Sequence, residues 1–261
     1  MFDPRFSLAG LVVGVLVGLT GMGGGAMMTP ILILLMGVKP LTAVGTDLVY
    51  AGATKIVGAI VHYRNKTVDL NVAGHLIIGG VPGSVLGVWT LKYLGDHQYA
   101  VDQFIRTSLG LALICISLFI LIQARFQRKT TIEGTQCLFR FTPRLHVYTI
   151  VVGFLVGLLV GVTSVGSGVF ILVFLLLLHP IQDGRVVGTD ILTATFLVGA
   201  AGVTHLAYGN VDMPIVASIL AGSLPGVYFG SHMHVRIPIK KIRIILAAII
   251  MVSGVALINA Y

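Results

Sequence analysis

Two stretches decide how this chain is read: Thr20-Gly-Met-Gly-Gly-Gly25 and Thr163-Ser-Val-Gly-Ser-Gly168. Each ends one apolar run and opens the next, and glycine at that density interrupts a helix. The second lies 143 residues beyond the first, and the same offset governs much of the chain. Sliding the sequence by 143 positions sets 10–87 on 153–230 without a gap, with about two dozen identities, a degree typical of diverged repeats that share a fold. Gly14, Gly18, Thr20, Gly23 and Gly25 meet Gly157, Gly161, Thr163, Gly166 and Gly168. Val44-Gly45-Thr46-Asp47 meets Val187-Gly188-Thr189-Asp190, His62 meets His205, Val68-Asp69 meets Val211-Asp212, and Pro82-Gly83 meets Pro225-Gly226. The chain is a duplication.

Each copy reads as five apolar segments, at about 6–20, 26–37, 41–61, 70–91 and 104–123, then 145–162, 169–178, 186–206, 213–230 and 242–259. The last three of each set approach the roughly 20 helical residues that cross a bilayer. The first two are short and form a glycine-broken pair. Apolar residues make up 56% of the chain and charged ones 10%, too few charges to clothe a soluble protein of this size. The expected fold is all-α: a polytopic transmembrane bundle of two repeats, 1–123 and 145–261, joined by a basic linker at 124–144. The stretch 6–19 after Arg5 resembles a signal peptide, but its pattern recurs mid-chain and is read as structure.

The net charge of +8 sits in the short gaps between apolar runs, where it sets orientation rather than binding nucleic acid. If each broken pair is a hairpin, or two short crossings, one face collects Arg64, Lys66, Arg125, Arg128, Lys129, Arg140, Arg144, Arg185, Arg236, Lys240, Lys241 and Arg243. The other face keeps Arg5, Lys39, Lys92 and Arg106. That asymmetry puts the central loop in the cytoplasm, both termini outside, and the copies in opposite orientations, a common plan of secondary transporters.

Broken backbone at membrane depth must be buried in protein or line a cavity. A half-helix starting at such a break aims free amides and a positive dipole end at it, which suits an anion. The candidate site therefore takes Gly23, Gly24, Gly25, Gly166, Ser167 and Gly168 as amide donors, with hydroxyls from Thr20, Thr163 and Ser164. The alternative is glycine used only for close packing. Helical spacing puts Asp47, Ala51, Lys55, Gly58 and His62 on one face, matched by Asp190, Ala194, Val198, Ala201 and His205. Asp47 and Asp190 read either as helix caps or as proton or substrate sites, with Thr46 and Thr189 beside them. Lys55, whose mate is Val198, is read as counter-ion to an anionic substrate or as a bridge to another helix. His62 and His205 are interfacial residues or members of a proton relay. Gly79-xxx-Gly83-xxx-Gly87 and Gly222-xxx-Gly226-xxx-Gly230 are packing stripes. Cys115 and Cys137 have no metal-ligand spacing, and no metal or cofactor is expected.

With these motifs in order, the chain resembles the sulfite exporter TauE/SafE family, the sulfonate uptake and export permeases. The resemblance runs through the glycine-broken pair, Val-Gly-Thr-Asp, Val-Asp, Pro-Gly and the duplication. It implies transport of sulfite, sulfonates or related small organic anions across the bacterial cytoplasmic membrane. Family members often carry Ser after Gly-Thr, where this chain has Asp47 and Asp190. The expected activity is secondary transport of a small anion, with proton coupling through the aspartates as a hypothesis. A passive channel is the nearest alternative, and an intramembrane enzyme is disfavoured by the lack of HExxH or GxSxG. The expected partners are the anion and the bilayer. The oligomeric state is left open, a homodimer being one arrangement compatible with it.

Overall fold

The structure is a computed structural model, described here over residues 3–20, 25–94, 98–125, 143–178, 183–233 and 239–259. Every element among them is helical. The first copy holds α1 (Pro4–Thr20), α2 (Gly25–Leu34), α3 (Pro40–Arg64), α4 (Leu70–Tyr93) and α5 (Gln98–Arg125). The second holds α6 (Pro143–Thr163), α7 (Val169–Leu178), α8 (Asp183–Ala207), α9 (Met213–Met233) and α10 (Ile239–Asn259). These are the ten expected segments. The largest difference is α5, which begins at Gln98 instead of near 104, because a helix continues through polar residues that an apolar run does not include. Most of the linker 124–144, and Gly23 and Gly24, lie outside the described residues.

Among the described residues, six helices are long and apolar enough to cross a membrane, and three shorter apolar ones accompany them. Large side chains lie bare on the outside: Leu8, Ile78, Val203, Leu224 and Val252 are each more than 60% exposed. A water-soluble protein does not present so much apolar surface; a bilayer is the solvent that suits it.

The copies pack by exchange. Helix α1 lies along α9 of the other copy, and α4 along α6, while α3 meets α8 and α5 meets α10. The contacts repeat at the sequence offset. A Cβ on Gly10 would strike the Ile219 carbonyl, and one on Gly153 the Leu76 carbonyl; Gly14 faces Ser223 as Gly157 faces Gly80. Numbers rise together in these pairs, so α1 runs parallel to α9 and α4 to α6. On the other axis Gly52 lies on Val198, Gly58 on Ile191 and Gly202 on Leu48, so α3 runs antiparallel to α8. Gly110 faces Gly254 and Ile258, and Ser117 reaches Met251, so α5 runs antiparallel to α10.

The small-residue stripes serve this packing, since only a bare Cα lets two backbones approach so closely. The conserved offset also explains the Val-Asp pairs. Asp69 caps α4 by accepting from the Asn71 and Val72 amides, and Asp212 accepts from Ile215 at the start of α9. The Asp69 amide donates to Thr189 Oγ1 at 2.9 Å and the Asp212 amide to Thr46 Oγ1 at 3.1 Å. Each Gly-Thr-Asp motif thus holds the turn that precedes the fourth helix of the other copy.

Candidate functional site

The break at 163–168 is real and packed. Helix α6 stops at Thr163, Ser164 takes φ +63°, Gly166 takes φ +103°, and α7 starts at Val169. Thr163 Oγ1 donates to Leu159 O at 2.7 Å and accepts from the Val165 amide at 3.2 Å, which folds the chain out of the helix. Thr163, Ser164, Val165 and Ser167 are all buried. The broken backbone is therefore sheltered by protein, as the absence of hydrogen-bonding partners in lipid demands. At the start of α7 the Phe170 amide reaches Gly166 O and the Leu172 amide reaches Gly168 O.

One face of α3 grips this break twice. Asp47 is wholly buried, and its Oδ2 accepts from Ser164 Oγ at 2.8 Å and from Thr29 Oγ1 at 2.5 Å. Eight residues on, about 12 Å along the helix, Lys55 Nζ donates to Ser167 Oγ at 2.6 Å. Helix α3 begins at Pro40, so Asp47 lies well inside it and is not its cap. Likewise α8 begins at Asp183, seven residues before Asp190. The capping alternative falls for both. Lys55 lies within Coulombic reach of Asp190 and, more weakly, of Asp47. Two carboxylates and one ammonium therefore share the space between α3, α8 and the second break.

The copies are unequal here. The residues that serve Asp47 are Thr29 and Ser164; at the offset positions that would serve Asp190, the sequence has Leu172 and Gly21, which carry no hydroxyl. Asp190 accepts no hydrogen bond among the described residues, and its Oδ1 and the neighbouring Thr193 Oγ1 are buried and unpaired; Asp47 Oδ1 is buried and unpaired as well, but Asp47 Oδ2 accepts from two hydroxyls. A buried polar atom left unpaired costs about 1–3 kcal/mol, so such a group calls for a role. Asp47 is an anchored residue; Asp190 is an uncommitted one.

The other expected site residues distribute as follows. Gly25 opens α2 beside the Ser164 carbonyl and Asp47, and so belongs to the cluster. Thr20 ends α1. Thr46 and Thr189 point away, committed to the loop amides described above. His205 is fully buried, and its Nε2 faces Gly161 O at 3.1 Å, which makes Nε2 the protonated nitrogen. His62 is half-buried, with Nδ1 2.9 Å from Thr67 Oγ1. Because α3 and α8 are antiparallel, each histidine packs on the Gly-Thr-Asp motif of the other copy, His62 at Gly188 and His205 at Gly45. Sequence reasoning missed Thr29 and the tie of Asp69 and Asp212; the repeat of Val-Asp was the available signal for the latter.

Described residues that are helical throughout, with six helices fit to cross a bilayer, one helix break sheltered in protein and a buried cluster of charged residues, define a polytopic membrane protein of the transporter class. Comparison with known proteins agrees: residues 6–257 match the sulfite exporter TauE/SafE family model. The chain belongs to the sulfite exporter TauE/SafE family. It is 39% identical to the probable membrane transporter protein YjnA of Bacillus subtilis (strain 168), over 96% of this chain and 98% of that one. It is 26% identical to the probable membrane transporter protein YdhB of the same organism, over 84% of this chain and 85% of that one. An archaeal relative, the probable membrane transporter protein MJ0441 of Methanocaldococcus jannaschii, is 25% identical over 96% of this chain and 93% of that one. No solved structure matches the chain. The chain is a multi-pass membrane transporter and not an enzyme.

Proposed function

We propose that this transporter moves a small anion, sulfite, a sulfonate or a related organic anion, across the cytoplasmic membrane by a carrier mechanism. The central loop is cytoplasmic, both termini are outside, and the copies are inserted in opposite senses. The antiparallel runs of α3 with α8 and of α5 with α10 support that inversion.

The observation that carries the reading is Lys55 against Ser167. An ammonium deep in an apolar bundle is expensive unless it has a task, and here its repeat mate is the neutral Val198. The anion displaces Ser167 Oγ from Lys55 and takes the free amides and positive dipole end at the start of α7. Asp190, opposite Lys55, carries the coupling proton. When it is charged it competes with the anion for Lys55, and when protonated it does not. Lys55 and, from the far end of α3, His62 at Gly188 are the titratable groups on α3 that face this part of α8. The packed break belongs to an occluded state, in which Ser167 fills the place of the substrate.

Uptake of sulfite and of short alkyl sulfonates into proteoliposomes tests this. Wild-type protein should saturate and accumulate the anion against its gradient when a proton gradient is imposed, and Lys55→Met should lose at least tenfold in flux with its fold intact. Flux in Lys55→Met equal to wild type would overturn the assignment. Flux that neither saturates nor accumulates would replace the carrier by a passive channel.

A further inference from the structure

A second basic feature lies away from the charge cluster, where α3 ends and α4 and α8 begin. Among the described residues, a cavity of about 420 Å³ is lined by Tyr63, Arg64, Lys66, Val68, Leu70 and Arg185. Three of those six residues are cations, drawn from both copies, and none is acidic. Asp69, the acid in the same turn, is turned to the Asn71 and Val72 amides. Tyr63 and Leu70 are both more than half exposed, so the cavity has an apolar rim beside its charged wall.

The duplication supplies an internal control. The turn after α3 and the turn after α8 are built alike. Lys66 N reaches Tyr63 O as Gly209 N reaches Leu206 O, and Thr67 N reaches His62 O as Asn210 N reaches His205 O. Both third positions are left-handed, with φ +56° at Lys66 and +72° at Gly209. Glycine is the residue that takes this conformation freely, and the second copy uses it. The first copy puts a lysine there at a conformational cost. The offset mates of the other lining residues are Leu206, Ala207, Val211, Met213 and Thr42, none of them charged. Setting membrane orientation needs positive charge on one face, but it needs neither convergence on one cavity nor a strained backbone under one of the cations.

We propose that this cavity binds the phosphate of an anionic phospholipid headgroup, with Arg64, Lys66 and Arg185 on the phosphate oxygens and Tyr63 and Leu70 against the glycerol and first acyl carbons. A fork of guanidinium groups suits phosphate oxygens, and a basic pocket at a helix-bundle surface suits an anionic lipid. The site is independent of the anion pathway proposed above, since it shares no residue with it.

The test is a titration of thermal stability on the purified full-length protein in zwitterionic detergent, with phosphatidylglycerol, phosphatidylcholine and inorganic phosphate as separate probes. Phosphatidylglycerol should raise the melting temperature, phosphatidylcholine should not, and the apparent affinity should fall roughly fivefold for each cation removed in Arg64→Ala, Arg185→Ala and their double variant. Lys66→Gly separates binding from folding. It should raise the melting temperature of lipid-free protein by about 2–4 °C through relief of the left-handed strain while weakening the phosphatidylglycerol response. An equal, variant-sensitive response to inorganic phosphate would keep the phosphate site and make a soluble anion its occupant. Equal stabilisation by both lipids, or a phosphatidylglycerol response unchanged in the double variant and in Lys66→Gly, would overturn the proposal.

Discussion

Lys55 of α3 donates to Ser167 Oγ at 2.6 Å, a contact across 112 residues of sequence that ties one copy's third helix to the other copy's break. With Asp47 holding Ser164 at 2.8 Å, it clasps the second break at two points. The geometry resembles a latch with a fixed end and a movable end. A carboxylate that accepts two hydroxyls on one oxygen is hard to displace, whereas an ammonium on a flexible stem exchanges one partner for another at small cost.

That distinction separates the two aspartates. Asp47→Ala leaves the Thr29 and Ser164 hydroxyls buried without their acceptor and should lower stability by about 2–4 kcal/mol. Asp190→Asn breaks no hydrogen bond among the described residues and Lys55 keeps Ser167, but the substitution removes the carboxylate that acts most strongly on Lys55, so its loss should be smaller than that of Asp47→Ala without vanishing. Thermal unfolding of both variants in detergent checks the order; a reversed order would remove the anchoring role of Asp47.

The same pair should differ in coupling. Proteoliposome flux measured from pH 5.5 to 8 should lose its pH dependence in Asp190→Asn and keep it in Asp47→Asn. Retention of the full pH profile by Asp190→Asn would move the coupling proton elsewhere, with His62 at Gly188 the next group along α3.

Glycine substitutions should divide by what the new Cβ meets. At Gly157 it would strike the Gly80 carbonyl, so Gly157→Ala must part α6 from α4 and should cost about 1–3 kcal/mol. At Gly199, inside α8, nothing lies within 4 Å. Gly199→Ala should be neutral or stabilising by up to about 1 kcal/mol, the helix propensity gained. Melting temperatures of the two single variants decide it.

Thr46 and Thr189 should behave as structural residues. Thr46→Val and Thr189→Val leave the Asp212 and Asp69 amides without acceptors, a loss of about 1–3 kcal/mol each, with the affinity for transported anion unchanged. Half-saturation constants for uptake, read beside melting temperatures, distinguish this from direct contact with the substrate.

Much of the fold was legible before any coordinates. Apolar runs bounded by glycine and charge determine ten helices in order, because in lipid a helix is the one local way to satisfy every backbone group. The offset of 143 residues, visible in Thr20 and Thr163 or in Asp47 and Asp190, determines that there are two copies. Lys55, whose repeat mate is the neutral Val198, was legible as the odd charge of its stripe, with a substrate counter-ion and a bridge to another helix as its two readings. What tertiary structure alone decided is which side chain answers which. Thr46 stands next to Asp47 in sequence, yet its hydroxyl serves a turn 166 residues away while the carboxylate takes Thr29 and Ser164. Identical Val-Gly-Thr-Asp motifs end in different states, anchored at Asp47 and uncommitted at Asp190, because their partners lie on other helices that diverged separately. Periodicity is a local property of one helix; hydrogen-bond assignment depends on how helices far apart in the chain come to face one another.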